Sequence, residues 1–259
     1  MGSAEVQGQM WGLAAKDWAE LQEPHHEPLW QVMLDEGNVG SGTRVLDAGC
    51  GGGGASLLAA KRGAVVSGLD AAAPLIEVAM HRVPEGDFRV GDIQDLPFDD
   101  RSFDAVILAN SLQYSEDRIA TLREMKRVCD VGGRVIVGLF STPDKVEYRV
   151  VFDAVRGALP QPHAGKGPFE LSEPGVLEDL FLQAEMSVAG SGEVECLHDY
   201  ANLETFCRAV ASGGQGQAVI QQVGEEKLRE AVTDAAGSFL ASDGSIQMTS
   251  WFRYVVATV

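Results

Sequence analysis

From Thr43 onward, short apolar runs alternate with amphipathic stretches. TRVLDAG, AVVSGLD, DFRVGD, FDAVILAN and GRVIVGLF read as strands, and ASLLAAKRG, PLIEVAMHR and a stretch over about 116–129 read as the helices between them. This rhythm predicts a parallel sheet with helices on both faces, because each crossover between parallel strands must cover the sheet. VLDAG and AVILAN suit central positions, buried on both sides. Two helices are expected before this region, over 11–21 and 28–36, with the polar turn EPHHEP between them.

After Phe140 the pattern loosens. A cluster of Pro and Gly over about 159–175 reads as a long loop, followed by a helix over 175–185, a strand over 187–199, helices over 203–211 and 225–240, and a terminal strand QMTSWFRYVVATV. No internal repeat or linker interrupts the chain, so the late helices read as an insertion between the last two strands. The expected organisation is an N-terminal helical segment, 1–40, and a main domain, 41–259, with a cap inserted at about 142–245.

Composition narrows the function classes. The 259 residues, 45% of them hydrophobic, suffice for a buried core. No apolar run approaches the roughly 20 residues that span a bilayer, and MGSAEVQGQMWGLAAKDW has no basic-then-apolar leader, so a soluble, cytoplasmic protein is expected. Twenty Lys and Arg against 38 Asp and Glu give a net charge of −18, which argues against nucleic acid as a partner. Cys50, Cys129, Cys196 and Cys207 form no CxxC pair; four reduced thiols and no metal site are expected.

The chemistry-bearing stretch is VLDAGCGGGGA, Val45 to Ala55, with five glycines around one cysteine directly after a carboxylate. Glycines at a strand-to-helix turn remove the Cβ atoms that hold a ligand away, and the helix starting near Gly53 turns unpaired N–H groups and a positive dipole end toward it. Gly49, Gly51 and Gly54 satisfy the dinucleotide pattern GxGxxG; Asp47, Gly49, Gly51 and Gly53 satisfy an acid-x-G-x-G-x-G pattern. Asp70, ending the next strand, suits ribose hydroxyls in either case. Asp47 tilts the balance, since a carboxylate is awkward beside a pyrophosphate but suits an amino group and a sulfonium. Asp92, closing the third strand in VGDIQDLPF, is placed to accept from an adenine amino group.

VLDAGCGGGG, GLDAAAPLIEVA, GDIQDLPFDDRSFDAVILANSLQY and MKRVCDVGGRVIVG, in this order over about 43–140, resemble the class I S-adenosylmethionine-dependent methyltransferases. Within them the resemblance is to the small-molecule group that includes the ubiquinone and menaquinone C-methyltransferases. It implies a Rossmann-like α/β fold: a seven-stranded, mostly parallel sheet with the last strand antiparallel, helices on both faces and a helical cap. It also implies S-adenosylmethionine as cofactor and S-adenosylhomocysteine as product. The loop Gly49–Cys50–Gly51 to Gly53 would pass under the methionine part, Cys50 being a small filler and Asp47 meeting the amino group. Asp70 would hold the ribose with Ala71 beside the adenine; Asp92 and Ile93 would take the adenine edge. Asn110 would offer its backbone carbonyl near the amine, and Ser111 to Tyr114 would face the reaction chamber. Asp130 and Val131 stand where relatives commonly read Lys-Pro, which puts the turn into the fifth strand in doubt. NSLQY departs from the Asn-Pro-Pro-aromatic pattern of enzymes that methylate nucleic-acid amines.

The acceptor, a small organic molecule, is less defined. Methyl transfer needs alignment and exclusion of water more than a base, and His25, His26, His163 and His198, with Tyr114 and Tyr200, are candidates without a distinguishing spacing. Trp11 and Trp18, seven apart, fall on one helical face; in relatives such a helix is a lid over the cleft. Phe169, in the loop after Gly167, and Tyr200 are expected in the opposite wall. The alternatives are an NAD-dependent oxidoreductase, weakened by the lack of a Tyr-x-x-x-Lys constellation, a non-catalytic S-adenosylmethionine-binding protein, and an enzyme that uses the sulfonium for something besides methylation.

Overall fold

The computed structural model describes residues 2–160 and 167–259. Seven strands, β1 (Arg44–Ala48), β2 (Val65–Asp70), β3 (Asp87–Val90), β4 (Phe103–Ala109), β5 (Cys129–Phe140), β6 (Ser187–Tyr200) and β7 (Ile246–Thr258), form one sheet in the order β3-β2-β1-β4-β5-β7-β6. The first five run parallel and β7 is antiparallel to both its neighbours, as the sequence led us to expect. Helices α1 (Ser3–Gly12), α2 (Ala15–Asp17) and α3 (Glu27–Glu36) precede the sheet. α4 (Gly54–Lys61) and α5 (Ala73–Arg82) join β1, β2 and β3, and α6 (Arg118–Val128) joins β4 to β5. α7 (Arg149–Gly157) and α8 (Val176–Gln183) follow β5; α9 (Leu203–Ser212), α10 (Gly214–Val223) and α11 (Glu225–Ala236) lie between β6 and β7.

Successive side chains of a strand point to opposite faces, so each central strand builds two cores. In β4, Ala105 and Ile107 join one with Leu29 and Met33 of α3; Val106 and Leu108 join the other with Leu122 and Met125 of α6 and Phe181 of α8. The chain order reverses between β1 and β4, which opens a crevice at their carboxyl ends. Asp117 caps α6, accepting from the N–H groups of Ile119 and Ala120, while its own N–H donates to Gln94 Oε1 at 2.8 Å; the turns after β3 and β4 are thereby bound together at the crevice rim.

Several expectations need correction. The helix over 11–21 is broken: α1 ends at Gly12, where a Cβ would come 3.1 Å from Pro74, and the chain resumes as α2, a π-helical stretch Trp18–Gln22 and a 3-10 turn Glu23–His26. Within the polar turn EPHHEP, Glu23 and His26 are buried while Pro24, Glu27 and Pro28 are exposed. β5 starts at Cys129, with a register shift after the Phe103 pair that Gly132, at φ +79°, absorbs. Asp130, in the Lys-Pro place, instead joins Asp104 in holding Arg44 at the amino end of the sheet. The stretch 142–245 is not one cap, because β6 and α8 within it belong to the sheet layers. α7 and the Gly-rich α10 went unread, and α11 ends at Ala236, short of 240. The four cysteines are free and buried. Among the described residues no helix is long and apolar enough to cross a membrane, and no group of three or more His, Cys, Asp or Glu is arranged for a metal. His163 lies outside the described residues.

Candidate cofactor and acceptor site

The turn after β1 is held by its own backbone: the N–H groups of Gly49 and Cys50 both donate to the Leu69 carbonyl, at 2.7 and 3.0 Å. Gly49 adopts φ +79°, and a Cβ there would come 2.3 Å from the Ser111 Cβ; only glycine lets the β1 and β4 turns meet this closely. Gly53 serves differently from the expectation. It N-caps α4 and faces Ala79, 2.9 Å from where its Cβ would be, behind the wall and not on it.

Asp70 orders this turn, accepting from the Gly51 N–H at 2.9 Å and the Ala72 N–H at 2.8 Å. Burial raises its carboxyl above the usual range against the pull of those N–H groups. Asp47 is 2% exposed and accepts from Ser56 Oγ at 2.7 Å. Burial pushes it up to about 7; Ser56 opposes the rise, and the nearby Glu23 and Asp70 add to it. Burial likewise raises the Cys50 thiol well above its ordinary value, which keeps it in the thiol form.

These groups line a cavity of about 200 Å³, several waters in size and so not a packing defect. Asp47, Gly49, Cys50, Gly51, Asp70 and Ala71 form one wall; Asp92, Ile93, Asn110 and Ser111 form a second. Trp11, Trp18 and Tyr114 close it, the two indoles edge-to-face with centroids 4.6 Å apart although no single helix carries them. Ser111 Oγ donates to the Ala48 carbonyl at 2.8 Å. The Asn110 carbonyl accepts from Gln113 Nε2 at 3.0 Å, which leaves one lone pair for a ligand, and Asn110 Oδ1 and Gln113 Oε1 are both buried without a partner. Phe169 and Tyr200 do not reach the cavity. Phe169 packs edge-to-face on Phe140 and Phe152 behind Pro168, and the Tyr200 hydroxyl donates at 2.6 Å to Oε1 of Gln22, which does line it.

Residues 46–137 match the family described as "Methyltransferase domain". Over that stretch the chain is similar to the methyltransferase-domain family, in line with the resemblance carried by its motifs. A demethylmenaquinone methyltransferase of Renibacterium salmoninarum is 36% identical over 131 residues, 50% of this chain and 55% of that one. An uncharacterised protein of Mycobacterium tuberculosis is 35% identical over 130 residues, 49% of this chain and 47% of that one. The chain thus spans about half the length of the curated relatives it matches. The methyltransferase fold extends further: a putative methyltransferase of Bacillus halodurans superposes with a TM-score of 0.60 at 16% identity, over 88% of this chain and 97% of that one. The dinucleotide reading of the glycine turn is not favoured.

Around this domain the structure adds residues that the motifs missed. Glu23 accepts from the Gly52 N–H at 2.5 Å and pairs with Arg82 at 2.6 Å; Arg82 also donates to the carbonyls of Gly52 and Ala19. This clamp lays the stretch 18–26 on the glycine turn. Burial raises the Glu23 carboxyl, and Arg82 counteracts the rise. α1 lies across the mouth: Ser3 Oγ donates to the Tyr114 carbonyl at 2.6 Å, and Gly8 sits so near Ala71 that a Cβ would be 2.3 Å from its carbonyl oxygen. At the far end, beyond the carboxyl ends of β4 and β5, the lining is Gln22, His26, Trp30, Phe140, Tyr148 and Phe152. No spacing could have found the clamp, whose partners lie 59 residues apart.

Proposed function

We propose that the chain transfers a methyl group from S-adenosylmethionine to a small organic acceptor by in-line displacement, releasing S-adenosylhomocysteine. The supporting observation is a pair of open acceptors: Asn110 Oδ1 and Gln113 Oε1 are buried without partners in a lining that also holds the carboxyls of Asp47 and Asp70. Such a wall suits a ligand that brings an ammonium, ribose hydroxyls and a positive sulfur; a pyrophosphate brings negative charge and acceptors only. The cofactor, when bound, supplies an electrophilic methyl carbon. The chain's part is to hold the donors, align the acceptor and keep water out.

In this reading residues 1–40 act as a lid, with Trp11 and Trp18 above the cavity and the Glu23–Arg82 clamp as its latch. Asp92 and Ile93 take the adenine edge and Asp70 the ribose. The net charge of −18 disfavours nucleic acid, and relatives named demethylmenaquinone methyltransferase are consistent with a small-molecule acceptor. A cytoplasmic location fits four free cysteines.

Calorimetric titration with S-adenosylhomocysteine and, separately, NAD tests the proposal. Micromolar binding of the first alone, weakened at least tenfold by Asp70→Ala, is expected. Binding of NAD alone would sink it.

A further inference from the structure

His26 is 5% exposed and lines the far end of the cavity, yet its Nε2 is buried without a hydrogen-bond partner among the described residues. Its surroundings explain the vacancy on the ring. The centroids of Trp18, Trp30, Phe140 and Phe252 lie 6.1, 6.2, 6.3 and 5.3 Å away, and the next imidazole, His198, is 5.9 Å away and fully buried. Burial, reinforced by His25, pushes the His26 pKa down to about 3, which favours the neutral ring. A polar nitrogen left unpaired inside protein costs roughly 1–3 kcal/mol, and four aromatic neighbours offer it no relief. Valine or phenylalanine would fill that space at no such cost.

We infer that His26 is the acceptor-specificity residue of the methyltransferase site, its Nε2 accepting a hydrogen bond from an uncharged hydroxyl on a planar acceptor seated against Phe140, Tyr148 and Phe152. This rests on the proposed methyl transfer and adds to it which atom recognises the acceptor and what charge that acceptor carries. In the complex with S-adenosylhomocysteine, which lacks the sulfonium, an anionic acceptor would be buried on the same side as Glu23, Asp47 and Asp70 with no protein cation to meet it, since Arg82 is already engaged by Glu23. With S-adenosylmethionine bound, a second cation would be repelled by the sulfonium. Neutral Gln22 and Tyr148 are the other polar groups at this end; Gln22 Oε1 is occupied by the Tyr200 hydroxyl, and Tyr148 is hydrogen-bonded to Tyr200 and Gln22. At this end of the cavity, away from Asn110 and Gln113, His26 Nε2 is therefore an acceptor with hydrogen-bonding capacity to spare.

The test uses the full chain saturated with S-adenosylhomocysteine and three probes of one shape, 2-naphthol, 2-methoxynaphthalene and 2-naphthoate, titrated by calorimetry. 2-Naphthol is expected to bind about tenfold more tightly than either of the others, the value of one well-made hydrogen bond. His26→Phe should bring the naphthol-to-methoxynaphthalene ratio to about one with S-adenosylhomocysteine affinity unchanged, and His26→Gln should restore part of it. A ¹⁵N spectrum of the wild-type imidazole, with Nε2 shifting on addition of 2-naphthol but not of 2-methoxynaphthalene, reads the same contact without a variant. Equal binding of the three probes, binding of none, or a selectivity that survives His26→Phe overturns the assignment while leaving the methyltransferase reading standing. Failure of S-adenosylhomocysteine to bind overturns both.

Discussion

Arg82→Ala should release the stretch 18–26 from the glycine turn. In the intact protein Glu23 has a side chain 5% exposed, accepts from the Gly52 N–H and faces Arg82, itself 24% exposed, at 2.6 Å. Arg82 also supplies hydrogen bonds to Gly52 O at 2.8 Å and Ala19 O at 2.6 Å. Truncation leaves a buried carboxylate without its cation, a change that typically costs about 3–5 kcal/mol. The segment escapes part of this loss by opening or by protonating Glu23, whose carboxyl burial already holds above the usual range. Hydrogen exchange reads the effect locally: amide protection over 18–26 should fall on the order of a hundredfold or more, with β4 and β5 little changed and a larger effect at pH 8 than at pH 6. Glu23→Gln keeps the shape and leaves Arg82 partly hydrated, so its loss should be smaller, about 1–3 kcal/mol. Protection within a few-fold of wild type in Arg82→Ala would show that the clamp does not hold this segment down.

The remaining predictions concern the glycine turn and its acids. Because Asp47 is raised to about 7 in the folded protein, the folded state keeps a proton that the unfolded chain has released. Stability of the ligand-free protein should therefore fall as pH rises between about 4 and 7, by up to about 1.4 kcal/mol per pH unit from this group. Urea titrations across that range, flattened in Asp47→Asn, check the sign. By the same linkage either ligand, S-adenosylmethionine or S-adenosylhomocysteine, should gain affinity with rising pH as its ammonium meets the ionised Asp47, and calorimetry in buffers of different ionisation enthalpy should show proton release; proton uptake would contradict the assignment. Gly49→Ala places a Cβ 2.3 Å from that of Ser111 at φ +79°, adding roughly 1–2 kcal/mol of left-handed backbone cost to the clash. S-adenosylhomocysteine binding should drop at least tenfold, with partial recovery in the Gly49→Ala, Ser111→Gly double variant.

What was legible in the sequence was what local pattern encodes. Short continuous apolar runs in FDAVILAN and GRVIVGLF gave the strands, and glycine spacing with flanking acids gave the turn, because both are set by neighbours within a few residues. Aromatic identity does not say which way a ring faces, so Phe169 and Tyr200 were read into a wall that they only support from behind. His25, His26 and His198 carry no common spacing, yet β6 brings His198 within 5.3 and 5.9 Å of the other two rings. EPHHEP read only as a polar turn because the burial of Glu23 and His26 within it depends on Arg82 and on the aromatic floor of β5 and β7, all distant in the chain.

The clamp and the acceptor end share a single short segment. Gln22 and His26 face the far end, while Glu23 between them grips the glycine turn. Under the proposed function, substrate scope and cofactor residence are thereby inherited together: a change of acceptor that shifts this backbone by a residue also loosens the Glu23–Arg82 clamp. An engineer diversifying the enzyme should randomise positions 22 and 26 with Glu23 and Arg82 held fixed, and should expect insertions here to be purged first under selection.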